Sequence, residues 1–557
     1  MPEKNQLLEV TIEDMTNEGE GIGHADGYTL FVKDAVIGDR VLAVVTKAKK
    51  SYGYARVSEV LEPSPDRIPP VCPEARRCGG CQLQELSYAR EALFKEDIVR
   101  RNLTRIGGFS FSENGAEASG NDVEASGNDV ETGGEEVEAG GSRERCIGTC
   151  PHAKIEPLLA AEEPLRYRNK AQYPVGRSRK TGKIVTGFYA GRTHDIIDVR
   201  DCALTRAHNA DILKAILAFM EKYKIPAYDE MTGKGLVRHI LIREGFATGE
   251  IMVCLILNGP RLPHADDLVH TLSGLSVQWN NKGKNSIGSD AVIKSICFNI
   301  NEKRTNVILG DRVLPAYGNP WITDRLGRFT FRISPLSFYQ VNSVQALRLY
   351  ETAVEFAGLH GTETVFDLFC GIGTISLFIA EKAREVYGVE IVPQAIRDAK
   401  ENAERNGITN VHFFAGAAED IAARGSFDEK TPLIHPDVVV LDPPRKGCEQ
   451  SLLATIRRLA PDRIVYVSCD SATLARDLRF LVGAEQGAAG IEQSAAGTGS
   501  DTPETESASS NCRTETMAMA EKKRSLPAYR LERVRPVDLF PRTCHVETVV
   551  LMSRVEK

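Results

Sequence analysis

Residues 364–383, TVFDLFCGIGTISLFIAEKA, run a short apolar strand into Gly371 and Gly373 and out into a helix-like segment. A strand that turns on glycine into a helix must be joined to its neighbour by a crossover, so this stretch commits the chain to βαβ units. From residue 331 onward strand, glycine turn and helix alternate repeatedly, which predicts a Rossmann-like α/β domain with a mostly parallel sheet over 331–557. Glycines at the carboxyl end of a strand let a ligand approach the backbone closely. The next strand, EVYGVEI, ends on Glu390, where an acid can accept both hydroxyls of a ribose. The dinucleotide fingerprint GxGxxG is incomplete, because Ser376 stands at the third glycine position, and an acid, Asp367, precedes the turn. D-x-x-x-G-x-G with an acid one strand later fits S-adenosylmethionine better than NAD, another nucleotide binder remaining the alternative. A later strand, DVVVLDPPRKGC (437–448), sets Asp442 on a rigid turn beside the place a transferred methyl would occupy.

Two further segments bear on which atom would receive that methyl. Amino-directed enzymes often follow Asp-Pro-Pro with an aromatic that stacks on the base, and here Arg445 follows instead. RIVYVSCDSATLARDL (463–478) delivers Cys469 at a strand end directly before a helical segment, where a helix N-terminus can lower a thiol pKa. C5 of uracil is too weak a nucleophile to attack a sulfonium methyl, but thiolate addition at C6 gives C5 carbanion character. The C5 proton must then leave, which requires a base. DLFPRTCHVETVVL (538–551) offers Glu547, with His545 two positions earlier and on the same side of an extended segment. A buried apolar cysteine and an ion-paired strand carboxylate are the plain alternatives for these two residues.

The rest of the 557-residue chain is expected to form two more domains. Short β-rich segments between residues 7 and 61, separated by glycine-containing turns such as NEGEGIGHADG, predict an oligonucleotide-binding type barrel over 1–62. Lys47, Lys49, Lys50, Tyr52, Tyr54 and Arg56 mix cations with rings there, as a backbone-tracking RNA surface would. Residues 63–330 read as a mixed α+β domain in which RYRNKAQYPVGRSRKTGK (166–183) either grips phosphates or forms a solvated hairpin. Two low-complexity stretches read as disordered insertions: 111–145, with ten acids against two arginines, and 484–520, with six against one. The whole chain carries −7, so the remainder is basic at +6 and compatible with a phosphate-rich partner. No apolar run approaches the ~18 residues of a membrane helix. The N-terminus has no secretory pattern, so a cytoplasmic location is expected, where the 13 cysteines are thiols or metal ligands before they are disulfides. Cys72, Cys78 and Cys81, spaced C-x5-C-x2-C around Gly79 and Gly80, predict a metal centre, with zinc and an iron–sulfur cluster both open.

Taken together, SFYQVN (337–342), FDLFCGIGT, GVEI, LDPPRKGC, VSCDSATLARDL and FPRTCHVETVVL resemble the RNA uracil-C5 methyltransferases, specifically the iron–sulfur branch that modifies 23S ribosomal RNA. The resemblance implies an N-terminal TRAM domain, a cluster-bearing central domain and a C-terminal class I methyltransferase domain. It places Gln340, Phe369, Glu390 and Asp442 around S-adenosylmethionine, with Cys469 as nucleophile and Glu547 as base. It also implies a [4Fe-4S] cluster on Cys72, Cys78, Cys81 and a distant fourth ligand, Cys202 in IIDVRDCALT, with Cys146, Cys150 and nearby His152 as rivals. The expected substrate is a flipped uridine of 23S ribosomal RNA, with transfer RNA the alternative and no obligate protein partner. Ala417, in FFAGAAED, stands where some relatives have an Asn. A non-catalytic RNA-binding or chaperone protein is the reading from another class, and the trio Cys469, Glu547 and Asp442 argues against it.

Overall fold

The computed structural model describes residues 2–111, 153–191, 193–277, 291–428, 430–432, 434–483 and 526–555, with only the backbone of 422 and 423. Apart from Phe111, the two acidic stretches lie outside the described residues, as do Cys146, Cys150 and His152. Five strands, β1 (Leu7–Met15), β2 (Gly21–Ala25), β3 (Tyr28–Lys33), β4 (Arg40–Ala48) and β5 (Tyr52–Glu62), close into a barrel of order β1-β2-β3-β5-β4. Alternate residues such as Val10, Ile12, Leu30, Val32, Val41, Ala43 and Val45 point inward and fill it. Register shifts along β4 and β5 bend these strands enough to close so small a circle. β2 falls inside the stretch expected to be a turn. Its glycines permit this, because a Cβ on Gly23 would lie 2.3 Å from the carbonyl oxygen of Thr11 across the pair.

The barrel is fastened to the cysteine loop by Arg67, whose guanidinium donates to the buried Asp39 (2.8 Å) and also pairs with Glu85. After this loop come α1 (Tyr88–Arg105) and a short β6 (Lys154–Ile155). The middle of the chain contributes β7 (Lys170–Arg177), β8 (Ile184–Tyr189), β9 (Ile196–Asp198), α2 (Asn209–Lys222), β10 (Val237–Glu244), β11 (Glu250–Leu257), α3 (Ala265–Ser273), β12 (Val292–Ile300) and β13 (Arg312–Gly318). The strands form one seven-stranded sheet, order β13-β12-β11-β10-β7-β8-β9, with the apolar faces of α2 and α3 packed into its core. β7 is an interior strand of that sheet, so the basic stretch 166–183 is largely buried. Only its tip, around Arg177 and Arg179–Lys183, is exposed to solvent.

A hairpin, β14 (Ile322–Leu326) and β15 (Phe329–Ile333), precedes the remaining elements: α4 (Ser343–Ala357), β16 (Thr364–Asp367), α5 (Thr374–Ala380), β17 (Glu385–Glu390), α6 (Pro393–Arg405), β18 (Val411–Ala415), α7 (Ala418–Arg424), β19 (Val438–Leu441), α8 (Gln450–Leu459), β20 (Arg463–Ser468), α9 (Ser471–Leu481), β21 (Tyr529–Val537) and β22 (Glu547–Arg554). The sheet order is β18-β17-β16-β19-β20-β22-β21-β6. β16 to β20 run parallel and β22 enters antiparallel, the arrangement of class I methyltransferases. β19 and the inner part of β16 are buried on both faces and therefore read as unbroken apolar runs. Two elements cross the boundary expected at residue 331. Ile322, Leu326 and Phe329 of the hairpin belong to the apolar core on one face of the catalytic sheet. β6, from far upstream, pairs with β21 and extends its edge.

Candidate active site and cysteine cavity

The carboxyl ends of β16, β17, β19 and β20 bring the expected residues into one region, where open α/β sheets hold their ligands. Gly371 (φ +55°) and Gly373 (φ +82°) make the turn after β16 in a left-handed conformation that favours glycine. A Cβ on Gly373 would also meet the Phe413 ring at 2.8 Å. Asp367 is fully buried below this turn and accepts a 2.6 Å hydrogen bond from Ser376 Oγ. The serine at the third glycine position therefore anchors an acid. The other oxygen, Oδ1, is approached by the Phe369 N–H without a full hydrogen bond, and burial pushes the carboxyl up to about 6. Glu390, at the end of β17, accepts from the N–H groups of Gly371 (3.3 Å) and Val392 (2.9 Å). Beside it Ile391 and Val392 leave apolar side chains 66% and 50% exposed, a surface a purine ring would cover. Phe369 is half-buried at the turn, and Gln340 is buried just before α4. An under-bonded buried carboxylate, a carboxylate on the glycine turn and open apolar surface fit an adenosyl cofactor with a charged amino-acid tail. Ala417 is the N-cap position of α7 and supplies no side-chain bond there.

Opposite this cradle, Asp442, Cys469 and Glu547 converge from the ends of β19 and β20 and the start of β22. Burial, with Asp367 nearby, pushes Asp442 up to about 7. Burial, then the charge of Asp442, pushes Glu547 up to about 8, and Arg445 opposes that rise. The Cys469 thiol is pushed up to about 11, first by burial and then by Glu547, with Arg445 again opposing. This corrects the expectation that the following helix lowers the thiol pKa. The donors at the N-terminus of α9 are taken by Asp470, whose carboxylate accepts from Ala472 and Thr473 N–H at 3.0 Å each. An acid thus sits where a thiolate would have profited. Arg445 had been weighed only as a missing aromatic. It is the cation shared by this pocket, with its Nη2 3.5 Å from His545 Nε2. Burial, then the charge of Arg445, lowers the histidine pKa. The strand begins only at Glu547, so His545 belongs to the preceding connection.

A second cavity, of about 350 Å³, is lined by Cys72, Cys78, Cys81 and Cys202 together with Gln84, Arg168, Lys170 and Val341. Cys202, on the segment after β9, lines the same cavity as the cysteines of the loop 72–81. Among the described residues no group of three His, Cys, Asp or Glu side chains is close enough to grip one metal ion. Burial pushes Cys81 up to about 12 and also raises Cys78 and Cys202. Arg168 and Lys170, from the basic stretch 166–183, line this cavity as well, and burial pulls the Lys170 amine down to about 7. Four thiols beside a guanidinium suit an anionic metal–thiolate group. On the barrel, the rings of Phe31, Tyr52 and Tyr54 lie within 5.8 Å of one another on the outer face, beside the exposed Lys47, Lys49 and Lys50.

Residues 321–486 match the tRNA (uracil-5-)-methyltransferase family, and residues 3–58 match the TRAM domain. An uncharacterized RNA methyltransferase of Halalkalibacterium halodurans is 39% identical over 554 residues, covering 99% of this chain and 97% of the relative. Another, of Clostridium acetobutylicum, is 39% identical over 554 residues, covering 100% and 98%. Among solved structures, the Pyrococcus abyssi tRNA (uracil-54, C5)-methyltransferase in complex with S-adenosyl-L-homocysteine superposes with a TM-score of 0.64 at 22% identity, covering 98% of this chain and 99% of that one. At that identity the likeness speaks for the fold. No helix among the described residues is long and apolar enough to cross a membrane.

Proposed function

Because this chain belongs to the family of RNA methyltransferases that join a TRAM domain to a uracil-C5 methyltransferase domain, we propose that it forms 5-methyluridine in 23S ribosomal RNA through a covalent bond from Cys469 to C6. The observation that carries this reading is the meeting of one thiol, two carboxyls of raised pKa and one guanidinium at the strand ends. S-adenosylmethionine, held by Gln340, Phe369, Glu390 and Asp442, supplies the methyl group when bound. Cys469 gives up its proton to solvent and the thiolate adds to C6 of a uridine turned out of its stack, and the charge that builds on the ring faces Arg445. C5 takes the methyl. Glu547 then accepts the C5 proton, the C5–C6 double bond re-forms as the C6–S bond breaks, and 5-methyluridine is released while the Cys469 thiolate regains a proton from solvent. A carboxyl near 8 is well matched to that proton, since its conjugate base is strong at working pH.

The four thiols around one cavity support a [4Fe-4S] cluster on Cys72, Cys78, Cys81 and Cys202. A tetrahedral zinc ion on the same thiols is the alternative, and metal analysis of the purified protein distinguishes the two. Since none of the methyl-transfer steps requires an electron, the cluster would join the 72–81 loop to the segment around Cys202 and so stabilise the RNA-facing domain. The aromatic and lysine face of the barrel suits stacking on unpaired bases.

Transfer RNA is the second reading, favoured by the Pyrococcus protein's action on uracil-54 of tRNA, a protein this chain covers along almost its whole length. Labelled cofactor should be offered with 23S ribosomal RNA and with transfer RNA, each unmodified. Methyl incorporation into 23S ribosomal RNA alone supports the first reading, and incorporation into transfer RNA alone replaces it. RNA carrying 5-fluorouridine should trap a denaturation-resistant adduct, because fluorine cannot leave as a proton does. Glu547→Gln should accumulate methylated RNA bound to protein, whereas His545→Ala should not. The opposite pattern would move the base to the histidine.

A further inference from the structure

Lys95 has no exposed surface, yet it lies in the middle of α1 and makes an ion pair with a residue 443 positions later. Its Nζ donates to Asp538 Oδ1 (2.7 Å), to Glu91 Oε1 (2.8 Å) and to the Phe540 carbonyl (3.2 Å). Asp538 Oδ2 accepts from the Tyr88 hydroxyl at 2.7 Å. Glu91, also fully buried, accepts from the Arg542 N–H at 2.7 Å, and the Arg542 guanidinium donates to the Leu86 carbonyl at 2.9 Å. Arg542 itself is held at φ +69°, a conformation a non-glycine residue keeps only where its surroundings impose it.

Apart from the Lys95–Glu91 bond within α1, these contacts fall on the connection 538–546, which joins β21 to β22 and so carries Glu547 at its end. Other parts of the molecule bind its backbone. The Asp538 and Leu539 carbonyls accept from Gln345 (3.0 Å) and Asn342 (3.2 Å) next to the cofactor cradle. The Pro541 carbonyl accepts from the Tyr167 hydroxyl at 3.0 Å. The Arg542 carbonyl accepts from the N–H groups of Gln82 (3.2 Å) and Leu83 (3.1 Å), which directly follow Cys81. Within the connection, Thr543 Oγ1 donates to the Phe540 carbonyl at 2.8 Å and the His545 N–H donates to Thr543 Oγ1 at 3.3 Å, so the bend is rigid up to the start of the strand.

A buried ion network is a poor way to gain stability, because desolvation offsets most of the attraction, but it is directional and leaves one geometry. None of these charges takes part in the methyl transfer. We infer that Glu91, by its grip on Arg542, and Lys95, by its grip on Asp538 and the Phe540 carbonyl, are positioning residues that aim the Glu547 carboxyl at the C5 proton of the covalent intermediate. The inference rests on the assignment of Glu547 as base. It predicts a defect confined to one step: the adduct forms and is methylated normally, and only its breakdown is slow.

The test is a rapid-quench single turnover with methyl-labelled cofactor and full-length enzyme, following label in protein-bound and then in free RNA. Arg542→Ala removes the guanidinium bonds to the Leu86 carbonyl and to Glu91 and keeps the backbone bonds of the connection, including that of its own N–H to Glu91. Label should enter the protein-bound pool within twofold of the wild-type rate and leave it at least tenfold more slowly. Glu91→Gln, close in shape, should show the same split to a smaller extent and carries the test if the alanine variant does not fold. Release at the wild-type rate, or a parallel fall of both steps, overturns the inference. Glu547→Gln, run alongside, separates the two claims. If it fails to accumulate methylated adduct, the base assignment falls. If it accumulates adduct while Arg542→Ala and Glu91→Gln do not, only the positioning role falls.

Discussion

The thiols lining the 72–81 cavity and the thiol at the sheet's strand ends have surroundings that differ in kind. Around the 350 Å³ cavity, four cysteines face one another and two basic residues, Arg168 and Lys170, with no carboxylate lining the space. At the strand ends a single cysteine, Cys469, faces Glu547, Asp442 and one cation, Arg445. Burial raises the pKa of thiols in both places. The difference lies in what can lower it again. A metal group bound among those thiols would keep all of them deprotonated. A thiol opposite carboxyls releases its proton only as it attacks and recovers it afterwards, as a turnover nucleophile must. Residue type therefore says little about role here, and neighbouring charge says most.

The comparison breaks first at its two thiols. Cys469→Ala should reduce methyl transfer by at least about a thousandfold while leaving iron content, cofactor binding and melting temperature near wild type. Cys202→Ala should do the reverse: anaerobically purified protein should lose its iron, sulfide and brown colour and melt at lower temperature, with Cys469 still reactive in whatever fraction stays folded. Stoichiometric zinc without iron in the wild-type protein would refute the cluster. Replacing Cys146 or Cys150 should leave the metal in place.

A second cut tests the shared cation. Arg445 opposes the upward shift of both Cys469 and Glu547. Breakdown of the adduct should rise with pH toward about 8, where Glu547 becomes able to accept a proton, and then level off. Arg445→Gln should move that limb to higher pH, and an unmoved limb would show that the cation does not act on the base. Stability follows the same group. A carboxyl whose folded pKa lies above its unfolded value binds more protons when folded, so its contribution is complete below the unfolded pKa of about 4.5 and is lost as pH rises through about 8. Glu547→Gln should thus raise the melting temperature at pH 9 by at least about 3 °C and change it little at pH 4. The smallest effect is expected far from either site. Deleting residues 113–142, which hold none of the proposed site residues, should leave turnover within twofold, and a large loss with the fold intact would mean that they touch the substrate.

Much of the fold could be read directly from local pattern. The glycine turn, the acids one strand apart and the alternation of strand and helix after residue 331 specify a parallel sheet, because each is a consequence of backbone geometry within a few residues. β2 escaped the same reading, since GIGHA has the composition of a turn and becomes a strand only because Gly21 and Gly23 let it lie against β1. The basic stretch 166–183 misled in the opposite sense: its charges suggested a surface, and most of it became an interior strand whose Arg168 and Lys170 line the cysteine cavity.

The amino-acid sequence by itself determined which chemical groups are present, on which kind of element each sits, and that Cys469, Glu547 and the 72–81 loop were the places to look. Only the tertiary structure decided their electrostatics and their alignment. Asp470 takes the helix N-terminus that was expected to activate Cys469. Cys202 meets partners more than a hundred residues upstream. The charges that hold the catalytic connection come from a helix at the other end of the chain. The physical reason is one of range. Propensity and turn chemistry act over a few bonds and are written in order along the chain, whereas burial and charge depend on every group within several ångströms, whatever its place in that order.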